Sequence, residues 1–182
     1  MAFAVAGAAC RPADPSVASS QRRSSNERRH MKVALLKQAQ IFGELDDDEL
    51  DAVAEICSEQ EFKFSQKIFK EGEPGNRLYI VAEGEVRISR DVPGSGEEAL
   101  AVLKPGACFG EMAVFDHSVR STDAIANVDC RLITIARADF EILLDFNRDL
   151  AWKVLWAVVR LLSERLRVTN DNLRTFLSMS MF

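Results

Sequence analysis

Glu111 and Arg120 stand nine residues apart in the run Phe109-Gly110-Glu111-Met112-Ala113-Val114-Phe115-Asp116-His117-Ser118-Val119-Arg120-Ser121-Thr122. A guanidinium is a planar, permanently charged fork that makes paired hydrogen bonds to an oxyanion such as a phosphate, so lysine is a poor substitute for it. A carboxylate is a poor neighbour for an anion unless it accepts a hydrogen bond from another part of the same ligand, and a hydroxyl meets that need. Gly110 permits close backbone approach and conformations that a Cβ would forbid. Residues 110–114 suit a short helix whose first amides lack carbonyl partners and point at an anion. Taken singly, Phe-Gly-Glu is most often a turn with a solvated glutamate, and an arginine a surface side chain. Together the two side chains are candidates for the two needs of a ligand with both an anionic group and a free hydroxyl.

Such a pair must be held by a rigid frame, and the upstream sequence reads as a string of short strands. Leu78, Ile80 and Ala82 alternate with Tyr79, Val81 and Glu83, and Val86 and Ile88 alternate with Glu85 and Arg87, as half-buried strands do. Gly72, Gly75 and Gly84 punctuate these runs where turns are needed. Further strands are predicted at Glu61–Phe64, Lys67–Lys70, Ala99–Leu103, Thr122–Asn127 and Arg131–Ile135, while Val92–Glu97 is too polar and glycine-rich for a strand and reads as a hairpin connection. Many short strands joined by tight turns imply a roll or barrel, with loops gathered at one end. Helices flank it. Asp46–Ser58 has Asp46 and Glu49 placed for a capping box and Leu50, Val53, Ala54 and Ile56 toward a core. Its three successive aspartates favour a helix start over a metal site. Asp139–Asp145 is a second, short helix.

From Asn147 or Arg148 to about Arg174 there is neither proline nor glycine. Trp152, Leu155, Val159, Leu162, Leu166, Thr169, Leu173 and Phe176 recur three and four residues apart, which predicts a coiled-coil seam and a homodimer. The alternative is that the stripe, or its first half from Trp152 to Val159, packs on the chain's own roll. Thr169 is the polar member of this seam and needs a partner.

The segment Phe109–Ile125 resembles the phosphate-binding cassette of cyclic-nucleotide-binding domains, and Glu71–Ile88 is similar to the glycine-punctuated β-roll that carries it. The resemblance implies a mainly β fold with flanking helices: a jelly-roll-like β-roll with N-terminal helices and a long C-terminal helix. By this match Glu111 takes the ribose 2′-hydroxyl and Arg120 the cyclic phosphate. Backbone amides around Gly110, Met112 and Ala113 assist, Ser121 is the small polar residue after the arginine, and Phe109 and Thr122 complete the cassette. Val119 stands where many members have proline, and should loosen the turn slightly. Asp123 stands where many eukaryotic members have threonine, and strand alternation puts it on the Ser121 side, where a carboxylate would oppose a phosphate. Arg165-Leu166-Arg167-Val168-Thr169-Asn170 is similar to the dimerisation helix of the bacterial catabolite activator group. This implies that Thr169 touches the purine in its own subunit and that Asn170, where the group has serine, touches it from the neighbouring one. A register-setting polar residue is the other reading of Thr169. The helix match favours cyclic AMP; the Ser121 hydroxyl suits either the phosphate or the amino group of guanine, so cyclic GMP remains the second candidate. The expectation is a stand-alone sensor acting through its C-terminal helix on a dimer or an unidentified protein effector, and the alternative is an interaction module of the same fold that binds no nucleotide.

Length and composition bound these readings. With 182 residues, 47% of them hydrophobic, the chain suits one domain with a real core: an extension over residues 1–30, a roll with its helices over 31–147, and a lid or dimerisation helix over 148–182. A net charge of −5 does not favour nucleic acid, and a sequence ending at Phe182 leaves no room for the DNA-reading domain of the catabolite activators, so no DNA partner is expected. Cys10, Cys57, Cys108 and Cys130 show no metal or redox spacing, which suits a reducing cytoplasm. His117 reads as an exposed loop residue. No nucleophile elbow, zinc motif or Walker loop appears, so neither catalysis nor a metal or cofactor is expected. Residues 1–30 are rich in serine, alanine and arginine and read as disordered; the opening apolar run ending at Cys10 lacks the basic start of an export signal, and Met31 is an alternative first residue. No stretch is long enough to span a membrane.

Overall fold

The computed structural model describes residues 29–180. The readings of residues 1–28 lie outside the described residues; a helix covers residues 29–38 (α1), and Arg29 pairs with Asp51 at 3.1 Å and Glu55 at 3.5 Å. Leu36, Ala39, Ile41, Phe42 and Leu45 bury the end of α1 and the turns after it. Next comes α2 (Asp47–Glu55), whose N-cap Asp46 accepts from the Glu49 amide while the Glu49 carboxylate accepts from that of Asp46, as the capping-box spacing predicted. The helix is shorter than expected. By Cys57 the chain is already strand β1 (Cys57–Phe62), because its backbone pairs with β8 (Cys130–Ala136), from Cys57 opposite Ile135 to Phe62 opposite Cys130. A partner more than 60 residues away overrides the local helical pattern.

The remaining strands are β2 (Lys67–Phe69), β3 (Arg77–Glu83), β4 (Val86–Val92), β5 (Gly96–Leu103), β6 (Cys108–Phe109) and β7 (Asp123–Ala126). They form two antiparallel sheets of four, in the orders β1-β8-β3-β6 and β2-β7-β4-β5. The β4–β5 connection is tighter than its polar sequence predicted: Val92 pairs with Gly96 and Asp91 with Glu97, since ladder hydrogen bonds use backbone groups only.

β3 was expected to be half-buried, yet Leu78 to Ala82 are all buried. Tyr79 and Val81 face the interior of the roll with Phe69, Phe109, Ala124 and Leu132, whereas Leu78, Ile80 and Ala82 face a second core shared with the helices. Alternation marks two faces without stating that one of them is wet. Helix α4 (Arg137–Phe146) buries Phe140 against Phe42 and Phe115, and α5 (Arg148–Ser180) follows after Asn147, whose side chain accepts from the Leu150 amide. α5 rests on the helical core through Leu150, Val154, Ala157, Val158 and Leu161. Trp152, Leu155 and Val159 are exposed, so the first half of the predicted seam does not pack on the roll.

Candidate functional site

The turn between β6 and β7 carries the cassette. Gly110 adopts φ +73°, and a Cβ there would lie 2.5 Å from Arg120 Nη1, so the residue satisfies both a left-handed backbone and a close approach. Helix α3 (Glu111–Phe115) begins directly after it and places Met112 and Ala113 at its head. The glycine-punctuated segment upstream locks the other end. Arg120 donates its amide to the Glu73 carbonyl at 2.8 Å and accepts from the Gly72 amide at 2.9 Å, and Val119 forms an antiparallel bridge with Pro74. Val119 is thus held by a backbone partner where proline was absent. Gly75 packs against Ala113 so closely that a Cβ would collide with it.

These restraints bring Glu111 and Arg120 to one cavity of about 680 Å³. Both are buried, at 1% and 3% exposure. Arg120 lies on an aromatic shelf, its guanidinium carbon 4.2 Å from the centre of the Phe69 ring and 5.6 Å from that of Tyr79, which itself stacks on Phe109 at 5.1 Å. Its Nη1 donates to the Gly110 carbonyl and its Nη2 to that of Arg77, both at 2.8 Å, while Nε is buried with no partner among the described residues. Burial lowers the guanidinium's hold on its proton but leaves an arginine charged at any physiological pH. Burial pushes the Glu111 carboxyl above its ordinary value, against the pull of Arg165 and Arg120. A buried guanidinium and a buried carboxylate beside a glycine turn can meet an anion and a hydroxyl of one ligand.

Phe109, Gly110, Glu111, Met112, Ala113, Arg120, Ser121, Thr122 and Thr169 all line this cavity. Asn170 does not; it is exposed on α5. Asp123, expected beside Ser121, does not line it either, because Lys67 pairs with one of its carboxylate oxygens and the Glu71 amide donates to the other at 2.7 Å. Strand alternation failed there because the first residue of β7 answers to partners across the sheet.

The sequence reading missed Arg165. Its Nη1 donates to Glu111 Oε1 at 2.5 Å and its Nη2 to the Cys108 carbonyl at 2.6 Å, which ties α5 to the cassette. It also missed Phe69, Leu100, Val102, Val168 and Asn172. The helical members had a signal: Leu161, Arg165, Val168, Thr169 and Asn172 share one face with Thr169 at 3.6-residue spacing. The strand members had none, since only pairing of β5 with β4 brings them to the site. Cys57, Cys108 and Cys130 are free and buried. Among the described residues no cluster of His, Cys, Asp and Glu could hold a metal, and no helix is long and apolar enough to cross a membrane.

Residues 59–147 match the family described as Cyclic nucleotide-binding domain. The chain is 31% identical over 139 residues to a CRP-like cAMP-activated global transcriptional regulator of Mycobacterium tuberculosis, an alignment that covers 76% of this chain and 60% of that protein. In structure it is similar to the N-terminal domain of a transcriptional regulator from Streptomyces coelicolor, with TM-score 0.65 and 33% identity over 76% of this chain and 94% of that one. The Thermus thermophilus Catabolite Activator Protein gives TM-score 0.67 and 33% identity over 76% and 63% of the respective chains.

Proposed function

Because the chain belongs to the cyclic nucleotide-binding domain family, we propose that it senses a purine 3′,5′-cyclic monophosphate, cyclic AMP in the first place, and passes occupancy on through α5 to a second copy or a protein effector. The observation that carries this reading is the convergence of two buried, opposite charges on one cavity, with Arg120 Nε unpartnered beside them. Arg120 takes the cyclic phosphate and Glu111 the ribose 2′-hydroxyl. Thr169 meets the base from α5, and Asn170 reaches it from the neighbouring copy. The name of the M. tuberculosis regulator supports cyclic AMP over cyclic GMP.

The route to α5 is short. Arg165 holds the carboxylate that the ribose hydroxyl would use, so ligand arrival changes the partner of a residue fixed to the helix. A ligand shifts such an equilibrium only by its difference in affinity for the two arrangements, and a tenfold shift needs about 1.4 kcal/mol.

Arg120→Ala should cost about 2 to 5 kcal/mol of binding, the range for removing one half of a desolvated charged pair. Calorimetry with cyclic AMP reads this directly, and unchanged affinity would remove Arg120 from the site. Deleting the ribose hydroxyl should matter in the wild type and little in a Glu111 variant; losses that simply add would dissolve the proposed contact.

A second reading, an interaction module that binds no nucleotide, has one observation on its side. Glu111 is already paired with Arg165, and two Arg120 nitrogens already donate to carbonyls. A wild-type protein that takes up neither cyclic AMP nor cyclic GMP would establish that reading over the first.

A further inference from the structure

One more side chain of α5 faces the cavity with its hydrogen-bonding groups uncommitted. The helix presents Leu161, Glu164, Arg165, Val168, Thr169 and Asn172 to the cavity. Arg165 is committed to Glu111 and Cys108. Thr169 donates its hydroxyl proton to the Arg165 carbonyl at 2.8 Å. A hydroxyl has one hydrogen, so Thr169 offers the cavity lone pairs only. The side chain of Asn172, one turn further on, makes no hydrogen bond to the described residues and offers both a carbonyl and an amino group.

Resting on the nucleotide reading above, we infer that Asn172 reads the six-position edge of the purine and, with Thr169, sets a preference for a 6-amino over a 6-oxo base. Arg165, on the ribose-binding carboxylate, marks the sugar end of the cavity. Asn172 lies seven residues beyond it, about 10 Å along the helix axis, a distance that a base extending from its ribose can span within the same cavity.

The chemistry then discriminates. Adenine places its amino donor beside a ring-nitrogen acceptor, and a primary amide matches that pair with its carbonyl and NH₂ together. At the imidazole edge of guanine, O6 and N7 are both acceptors, so the amide carbonyl would face a lone pair. At the other guanine edge, O6 and N1–H suit a flipped amide, and Asn172 alone would be indifferent. Thr169 removes that indifference. Its oxygen can accept from the adenine amino group, whereas against O6 it sets lone pair against lone pair.

The test is calorimetry on the full chain with cyclic AMP, cyclic GMP and the cyclic nucleotide of unsubstituted purine, which lacks any group at C6. Asn172→Leu should weaken cyclic AMP about tenfold, the low end for a bidentate base contact, and shrink the preference for cyclic AMP over cyclic GMP. Removing the 6-amino group should weaken binding in the wild type and scarcely at all in the variant. Asn172 is exposed, so a thermal melt matching the wild type should accompany the change. Equal weakening of all three ligands, or unchanged cyclic AMP affinity, overturns the inference while leaving nucleotide binding intact. A wild type that binds none of the three overturns the nucleotide reading itself.

Discussion

Glu111 occupies an environment that opposes its own charge. At 1% exposure it has lost its hydration, and although Arg165 and Arg120 offset part of that loss, its carboxyl remains above the ordinary value of 4.5. A raised carboxyl pKa contributes stability that is complete below about 4.5 and disappears as pH climbs through the folded-state value. Near neutral pH the ionised side chain therefore opposes folding of the unliganded protein. Glu111→Gln removes this titration. The melting temperature of the variant minus that of the wild type should increase between about pH 4 and pH 7, even as nucleotide affinity falls. A flat or falling difference would show that Arg165 compensates the charge fully. Gly110 is exposed to the opposite test. Gly110→Ala meets about 1 to 2 kcal/mol of left-handed backbone strain and displaces Arg120 as well, so it should lower both stability and binding in denaturant titration and calorimetry. Affinity retained in that variant would mean that the arginine is not held where the turn now holds it.

α5 is two elements in one. Its first half is fastened by Leu150, Val154, Ala157, Val158 and Leu161 and by ion pairs of Lys153 with Glu49 and Arg160 with Glu44, both at 2.7 Å. Beyond Leu162, among the described residues, the polar side chain that ties it to the roll is Arg165, while Thr169 and Thr175 bond back to their own helix. Segments with few buried contacts open at low free energy. Arg165→Met should thus accelerate amide hydrogen exchange over residues 166–180 and leave the cooperative unfolding of the roll where it was. Unchanged exchange there would deny Arg165 its role as a tether.

Across the whole molecule, the outward face of α5 is what the fold leaves uncovered. Trp152, Leu155, Val159, Leu166, Leu173 and Phe176 are each 46% exposed or more and recur at intervals of three, four and seven, while two other members of the expected seam turn inward, Leu162 against the helical core and Thr169 to the cavity. Exposed apolar side chains gathered on one side of a helix mark an interaction site. Sedimentation of the wild type should report a dimer and that of Leu166→Glu/Leu173→Glu a monomer, with the roll still folded. A monomeric wild type at tens of micromolar would assign the stripe to a different partner. The same experiment bears on Asn170, which reaches a base only if a second copy supplies it.

What the amino-acid order determined by itself was whatever depends on near neighbours. The Asp46–Glu49 capping box, the Gly110-Glu111 turn, the nine-residue interval to Arg120 and the unbroken helical run of α5 are all short-range patterns, set by backbone sterics and helical period. Tertiary structure decided the matters in which distant residues compete for one group. Lys67 turned Asp123 away from the ligand cavity across 56 positions, β8 drew Cys57 out of its helix, and Arg165 claimed Glu111 across 54. A carboxylate takes the best-placed donor in space, and nothing in local spacing records which donor the folded chain will bring to it.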